Sequence, residues 1–253
     1  MNHTFKSPRE RYRASAFTLT ELLVVILIIA SLSALGIVGV SKLRKAGDQV
    51  VSARNLSQLQ MANAGYAGDN NGQYVPIYEF NDTGSGYVAW CDSPKFISYL
   101  KGNTAVYQAS DKGDVSLPLN MLDASTVKAK QRGYNNVQAS FGYITSGIPV
   151  KGGGWGNPNG SVAFMVHQLT APARTAVFVT ATDWNVQYSS RFLWQGTDAF
   201  EGKTVNQKMA YRHKDKALVV YYDGHLAALS KEDIKKVDTQ GGPLNIFWDG
   251  DAR

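Results

Sequence analysis

The sequence predicts an α+β chain, with a long N-terminal helix packed on a C-terminal antiparallel β-sheet head. Three observations lead there. From Leu22 to Val40 run 19 residues without a charge. Beyond Lys42, apolar residues recur every three or four positions, the period of an amphipathic helix. Past residue 67 that period gives way to short apolar segments broken by glycine and asparagine, which is strand-and-turn patterning.

The bulk numbers agree with one folded domain plus an appendage: 253 residues, 44% hydrophobic and 18% charged. The formal net charge is +6. Lys6, Arg9, Arg11 and Arg13 against Glu10 give residues 1–16 a net +3, half of that total. The remainder is unremarkable, and no RNP, zinc-finger or basic-helix pattern accompanies it, so no nucleic-acid partner is expected. Cys91 is the only cysteine. This excludes an intramolecular disulfide and a cysteine-cluster metal site, and Cys91 reads as a small half-buried hydrophobe.

The N-terminal run comes first. At about 1.5 Å per residue it is roughly 28 Å long, close to the hydrocarbon thickness of a bilayer. Leu22–Val40 therefore reads as one membrane span, capped by Ser15 or Thr18 and ended by Lys42, Arg44 and Lys45. It exceeds the ~7–15-residue core of a cleavable secretory signal, and a helix continues out of it. Glu21 stands at its edge. The helix macrodipole favours an anion in the first turn, but a carboxylate beside a membrane helix calls for a partner.

The stretch "AFTLTELLVVI", Ala16 to Ile26, resembles the signature of type IV prepilins, shared by type IV pilins and the pseudopilins of type II secretion. The resemblance implies cleavage of the basic leader between Ala16 and Phe17, methylation of the new amino terminus, and Glu21 as mature residue five. In that family the glutamate pairs with the amine of a neighbouring subunit. Phe17, Thr18, Leu19, Glu21, Leu22 and Leu23 stand where the motif wants them, with Glu21, Leu22 and Leu23 as assembly residues. Two positions depart from it: Ala16 replaces the usual glycine before the cut, and Thr20 replaces an apolar residue before the glutamate.

The helix is expected to continue through Ala67. Leu43, Ala46, Val50, Ala53, Leu56 and Leu59 form one apolar stripe, and Lys45, Asp48, Arg54 and Gln58 the opposite face. Gly65, Gly68 and "GDNNGQYVP" stop it. The expected division is a leader (1–16), a transmembrane and assembly helix (17–41), a spine (42–67) and a globular head (68–253). With the resemblance, this implies a pilin-like lollipop: a single-pass inner-membrane protein with a cytoplasmic N-terminus and a periplasmic or extracellular head.

Within the head, Thr175–Ala181 and Ala217–Leu229 are the clearest strands, the second split by the hairpin signal Asp223-Gly224. Ser230 and Asp233 have capping-box spacing before a short helix. "HKDKALVVYYDG" also resembles the H-X9-DG element of prepilin-type proteins, spanning 213–224. Here His213, Asp223 and Gly224 are read as structural, the first two meeting across a hairpin to fix its register.

Other candidate chemistry reads weakly. His213, Asp223 and His225 lack a defined third metal ligand or a nucleophile, and His3 and His167 lie in unrelated contexts. "KGGGWGNPNG", with Trp155, fits neither phosphate-loop pattern and reads as a surface loop. No catalytic residue and no cofactor is expected. Calcium is the exception, since the pseudopilin resemblance implies a C-terminal calcium loop. Asp249 and Asp251 offer hard oxygen ligands there, though two carboxylates do not close a site.

The resulting expectation is a non-enzymatic prepilin-like subunit, assembled into a pilus or a secretion pseudopilus. Its partners would be a prepilin peptidase/methyltransferase, other pilin or pseudopilin subunits, an inner-membrane assembly platform and the membrane itself. The alternative is a membrane-tethered periplasmic or surface binding protein that does not polymerise.

Overall fold

The computed structural model describes residues 18–80, 87–100, 107–108, 115–117, 121–124, 141–144, 150–151, 161–194, 196, 207–238 and 246–249. The chain divides into two compact units, Met1–Arg44 and Lys45–Arg253. Helix α1 (Leu19–Asp69) crosses that boundary.

In the first unit, the described residues of α1 bury nothing. Every side chain from Leu19 to Ser33 is exposed, Leu27 at 62% and Leu32 at 64% among them. In the second unit α1 becomes part of a core. Leu56 and Leu59 are fully buried, and Ala62, Tyr66 and Ala67 follow on the same face. The helix ends where Asn71 and Gly72 adopt positive φ (55° and 80°) and the Gly72 N–H donates to the Ala67 carbonyl at 2.9 Å. That six-to-one bond satisfies a carbonyl the helix would leave open.

A five-stranded sheet organises the rest of this unit. Its strands are β5 (Phe141–Ile144), β8 (Ala176–Thr180), β9 (Asn185–Val186), β10 (Lys216–Tyr221) and β11 (Leu226–Ser230). The order is β11-β10-β8-β5-β9. Three neighbour pairs are antiparallel, but β5 and β9 run parallel, Tyr143 opposite Asn185. Two-stranded ribbons surround it: β1 (Tyr78–Phe80) with β2 (Tyr87–Ala89), β3 (Tyr107–Gln108) with β4 (Val115–Ser116), and β6 (Val150–Lys151) with β7 (Ser161–Val162); the short helix α2 (Pro94–Ile97) follows β2 in the chain.

Alternation along β10 builds two cores. Leu218 and Val220, continued by Tyr222, face α1 with Trp90, Phe96, Phe141, Tyr143 and Phe178. Ala217, Val219 and Tyr221 face the other way, onto Met209, Tyr211, Ile234, Phe247 and Trp248. A period of two therefore puts one strand's side chains into both layers. Gly142 in β5 allows the closest approach. A Cβ there would stand 2.8 Å from both Ala181 Cβ and Val186 Cγ2.

The local signals of the head appear as structure. β8 and the β10–β11 hairpin occupy the two strand segments read from sequence. The hairpin loop is Tyr222-Asp223-Gly224, with Gly224 at φ 92°, and the Tyr221 N–H donates to His225 O at 3.0 Å. This is a three-residue turn with a glycine bulge. Helix α3 (Lys231–Asp238) starts with a reciprocal box: Ser230 N–H donates to Asp233 Oδ2 at 3.0 Å, and Asp233 N–H to Ser230 Oγ at 3.1 Å.

The expected fold class needs correction. The sheet is mixed rather than antiparallel, because β9 joins it in parallel. Nor is the N-terminal helix a membrane span plus spine for the head, since residues up to Arg44 fall in a separate unit and a buried face begins only at Ser52. Among the described residues, no helix is long and apolar enough to cross a membrane. This finding overturns the single-pass inner-membrane placement. The amphipathic stripe is also displaced: Leu43 and Val50 are 73% and 69% exposed, whereas Ser52, Asn55, Gln60 and Asn63 are buried.

Candidate functional site

Helix α1 opens on a capping box that joins Thr18 to Glu21. The Thr18 N–H and hydroxyl donate to Glu21 Oε2 at 2.9 and 2.7 Å, and the Glu21 N–H donates to Thr18 Oγ1 at 3.3 Å. The Thr18 backbone bond first, and its hydroxyl second, hold the Glu21 carboxyl below the usual carboxylate range. The carboxylate is fully exposed. Its signal in the sequence is Thr-x-x-Glu, the capping-box pattern, beside the dipole argument and the prepilin-like signature. Leu22 and Leu23 follow at 59% and 52% exposure. Leu22 through Ile29 are eight exposed apolar side chains in succession, so this helix presents apolar surface on every face. Ala16 and Phe17, the expected processing pair, lie outside the described residues.

The H-X9-DG residues flank β10 without meeting. His213 and Lys216 exchange backbone bonds at 3.1 Å across Lys214 and Asp215, both at positive φ (53° and 59°), which is a two-residue primed turn. The ring of His213 is buried and its Nε2 lies 2.8 Å from Asp123 Oδ2, a fully buried carboxylate. At the other end of β10, Asp223 Oδ1 accepts from the His225 backbone N–H at 3.1 Å and lies 2.6 Å from its Nδ1. The His225 ring stacks on Tyr221 with centroids 4.0 Å apart. The element thus ties down both ends of one strand, through different partners.

Asp123 belongs to a clasp that the sequence did not reveal. Beside it, the Leu122 carbonyl accepts from Asn55 Nδ2 at 2.9 Å and the Ala124 N–H donates to Ser52 Oγ at 3.0 Å. Further along α1, Gln60 Nε2 donates to Tyr222 O at 2.7 Å and Asn63 Oδ1 accepts from the Val75 N–H at 2.9 Å. Asn63 Nδ2 completes the chain to Gln60 Oε1 at 3.1 Å. A buried polar group costs free energy unless satisfied. These bonds are why polar residues of α1 can face the core.

The remaining candidates are placed as follows. Cys91 is fully buried, and burial pushes its thiol well above the ordinary range, which makes it inert. His167 sits in an exposed turn, Val166–Gln168. Asp249 ends helix α4 (Ile246–Asp249). Its side chain, and Asp251, Trp155 and His3 altogether, lie outside the described residues. Among the described residues, no group of three or more His, Cys, Asp or Glu side chains is placed to hold a metal. Comparison with known proteins found no matching family model, curated protein or solved structure.

Proposed function

We infer that this chain is a structural subunit that assembles through its N-terminal helix into a filament of the type IV pilus or type II secretion pseudopilus kind. The observation that carries this reading is the apolar helix Leu19–Ser33, whose side chains are all exposed. Apolar surface of that extent marks a place where another molecule binds. The prepilin-like stretch Ala16–Ile26 names the kind of molecule: other subunits with the same helix. On this reading Phe17 becomes the amino terminus, and Glu21, Leu22 and Leu23 enter the contact between subunits. The processing partner is a prepilin peptidase/methyltransferase and the assembly partners are further subunits and their platform. The contribution of the chain is mechanical, not catalytic.

Mass spectrometry of the mature amino terminus tests the reading. The expected result is a terminal peptide that begins with N-methylated Phe17. A chain that keeps Met1–Ala16, or one cut beyond Val40, would instead favour a binding protein that does not polymerise.

A further inference from the structure

The tip of the β10–β11 hairpin holds one histidine more firmly than an exposed loop requires. The His225 backbone N–H donates to Asp223 Oδ1 at 3.1 Å, and the ring Nδ1 lies 2.6 Å from the same oxygen. The ring also lies flat on Tyr221, with an interplanar angle of 9°. Even so, the side chain is 45% exposed. An ionised carboxylate only accepts hydrogen bonds, so Nδ1 is the donor and the ring proton is fixed there. Nε2, on the far edge of the ring, keeps its lone pair. His167 supplies an internal control. It is exposed as well, in the turn Val166–Gln168, but no hydrogen bond orients its ring among the described residues.

We propose that His225 Nε2 is a ligand for a borderline divalent cation of the Zn²⁺ or Cu²⁺ class, with Asp223 as the positioning residue behind it. Imidazole nitrogen suits these metals, and the histidines that bind them characteristically give their other N–H to a carboxylate. That outer bond fixes the tautomer and raises the basicity of the binding nitrogen. Tyr221 holds the plane of the ring, so little rotamer freedom is left to lose when the metal arrives. His213 cannot act as a second ligand, because its own Nε2 is buried against Asp123. Among the described residues no group of three His, Cys, Asp or Glu forms here. The site therefore uses one ring nitrogen and leaves its other positions to water. It is independent of the assembly reading above.

Zinc titration of the full chain decides it, followed by NMR through the ring protons of His225 and His167. His225→Gln and His167→Gln assign the two signals. The His225 signal is expected to respond at about tenfold lower Zn²⁺ than that of His167, the lower end of what an outer partner contributes. Asp223→Ala is expected to close that gap. Asp223→Asn, which keeps an acceptor but not the charge, should narrow it. Ca²⁺, which takes oxygen ligands, should move neither signal. Equal response of the two histidines in the wild type overturns the proposal, and so does a gap that survives Asp223→Ala. If Asp223→Ala disturbs the hairpin, an unchanged gap in Asp223→Asn overturns it instead. A His225 response to Ca²⁺ as strong as that to Zn²⁺ does so too, because the ligand is then the Asp223 carboxylate.

Discussion

Two stretches of one helix follow opposite rules. From Leu19 to Ser33, α1 is apolar and exposed. From Ser52 to Ala67 it is half polar, yet its inner face is buried. Hydrophobicity alone would predict the reverse. What decides burial is whether partners exist: the head supplies the Leu122 carbonyl, the Tyr222 carbonyl and the Val75 N–H to the amides of α1, while among the described residues of the first unit nothing covers Leu22–Ile29. The comparison teaches that burial along α1 follows the polar partners the head provides and not the apolar content of the helix.

Substitutions should break this symmetry unequally. Leu59→Ala removes a fully buried side chain and should cost about 2–5 kcal/mol of head stability in denaturant unfolding. Leu27→Ala, exposed, should stay within about 0.5 kcal/mol. Equal costs would mean that the outer half is also packed. His213→Ala, which strips the imidazole from the buried Asp123 carboxylate, should cost about 3 kcal/mol. Asp223→Ala should cost under about 1 kcal/mol because its bonds are at an exposed loop tip, so chevron or thermal unfolding of the two variants separates the ends of β10.

Glycines sharpen the contrast at smaller magnitudes. Gly142→Ala forces a Cβ into contacts of 2.8 Å and should lose about 1–3 kcal/mol, seen as a lower Tm. Gly47→Ala, with nothing within 4 Å of the added Cβ, should gain about 0.5–1 kcal/mol from helix propensity. The smallest effect is pH-dependent. The Ser230 backbone N–H first, then its hydroxyl, hold the Asp233 carboxyl below its ordinary 3.8. Its contribution to the α3 cap is thus present above pH 3.8 and is lost as pH falls through the lowered value. Amide exchange in α3 should therefore accelerate in strong acid before the sheet opens.

What the sequence disclosed was local. The strands at 176–180 and 216–230, the Asp223-Gly224 turn and the Ser230–Asp233 box each rest on residues a few positions apart, and each is legible from spacing. The unseen features depend on distant partners. Asp123 lies 90 residues before His213, and Gln60 lies 162 before the Tyr222 carbonyl it bonds. No pattern of apolar spacing reveals such pairs, so Leu43 and Val50 were assigned a burial that Asn55 and Asn63 in fact have. The parallel strand β9 was missed for a similar reason, since only the close approach at Gly142 signals it. At the candidate site, Glu21 was found by its oddity in an apolar run, whereas its bond to Thr18 went unread despite a standard spacing.

The most direct test compares hydrogen exchange in released and assembled chains, peptide by peptide along α1. An exposed helix of this length is marginal in water by itself, while residues 52–67 are held by the head. The account predicts that 52–67 is protected in both samples and that 22–33 becomes protected only on assembly. Residues 22–33 exchanging equally fast in the assembled sample would contradict assembly through the N-terminal helix.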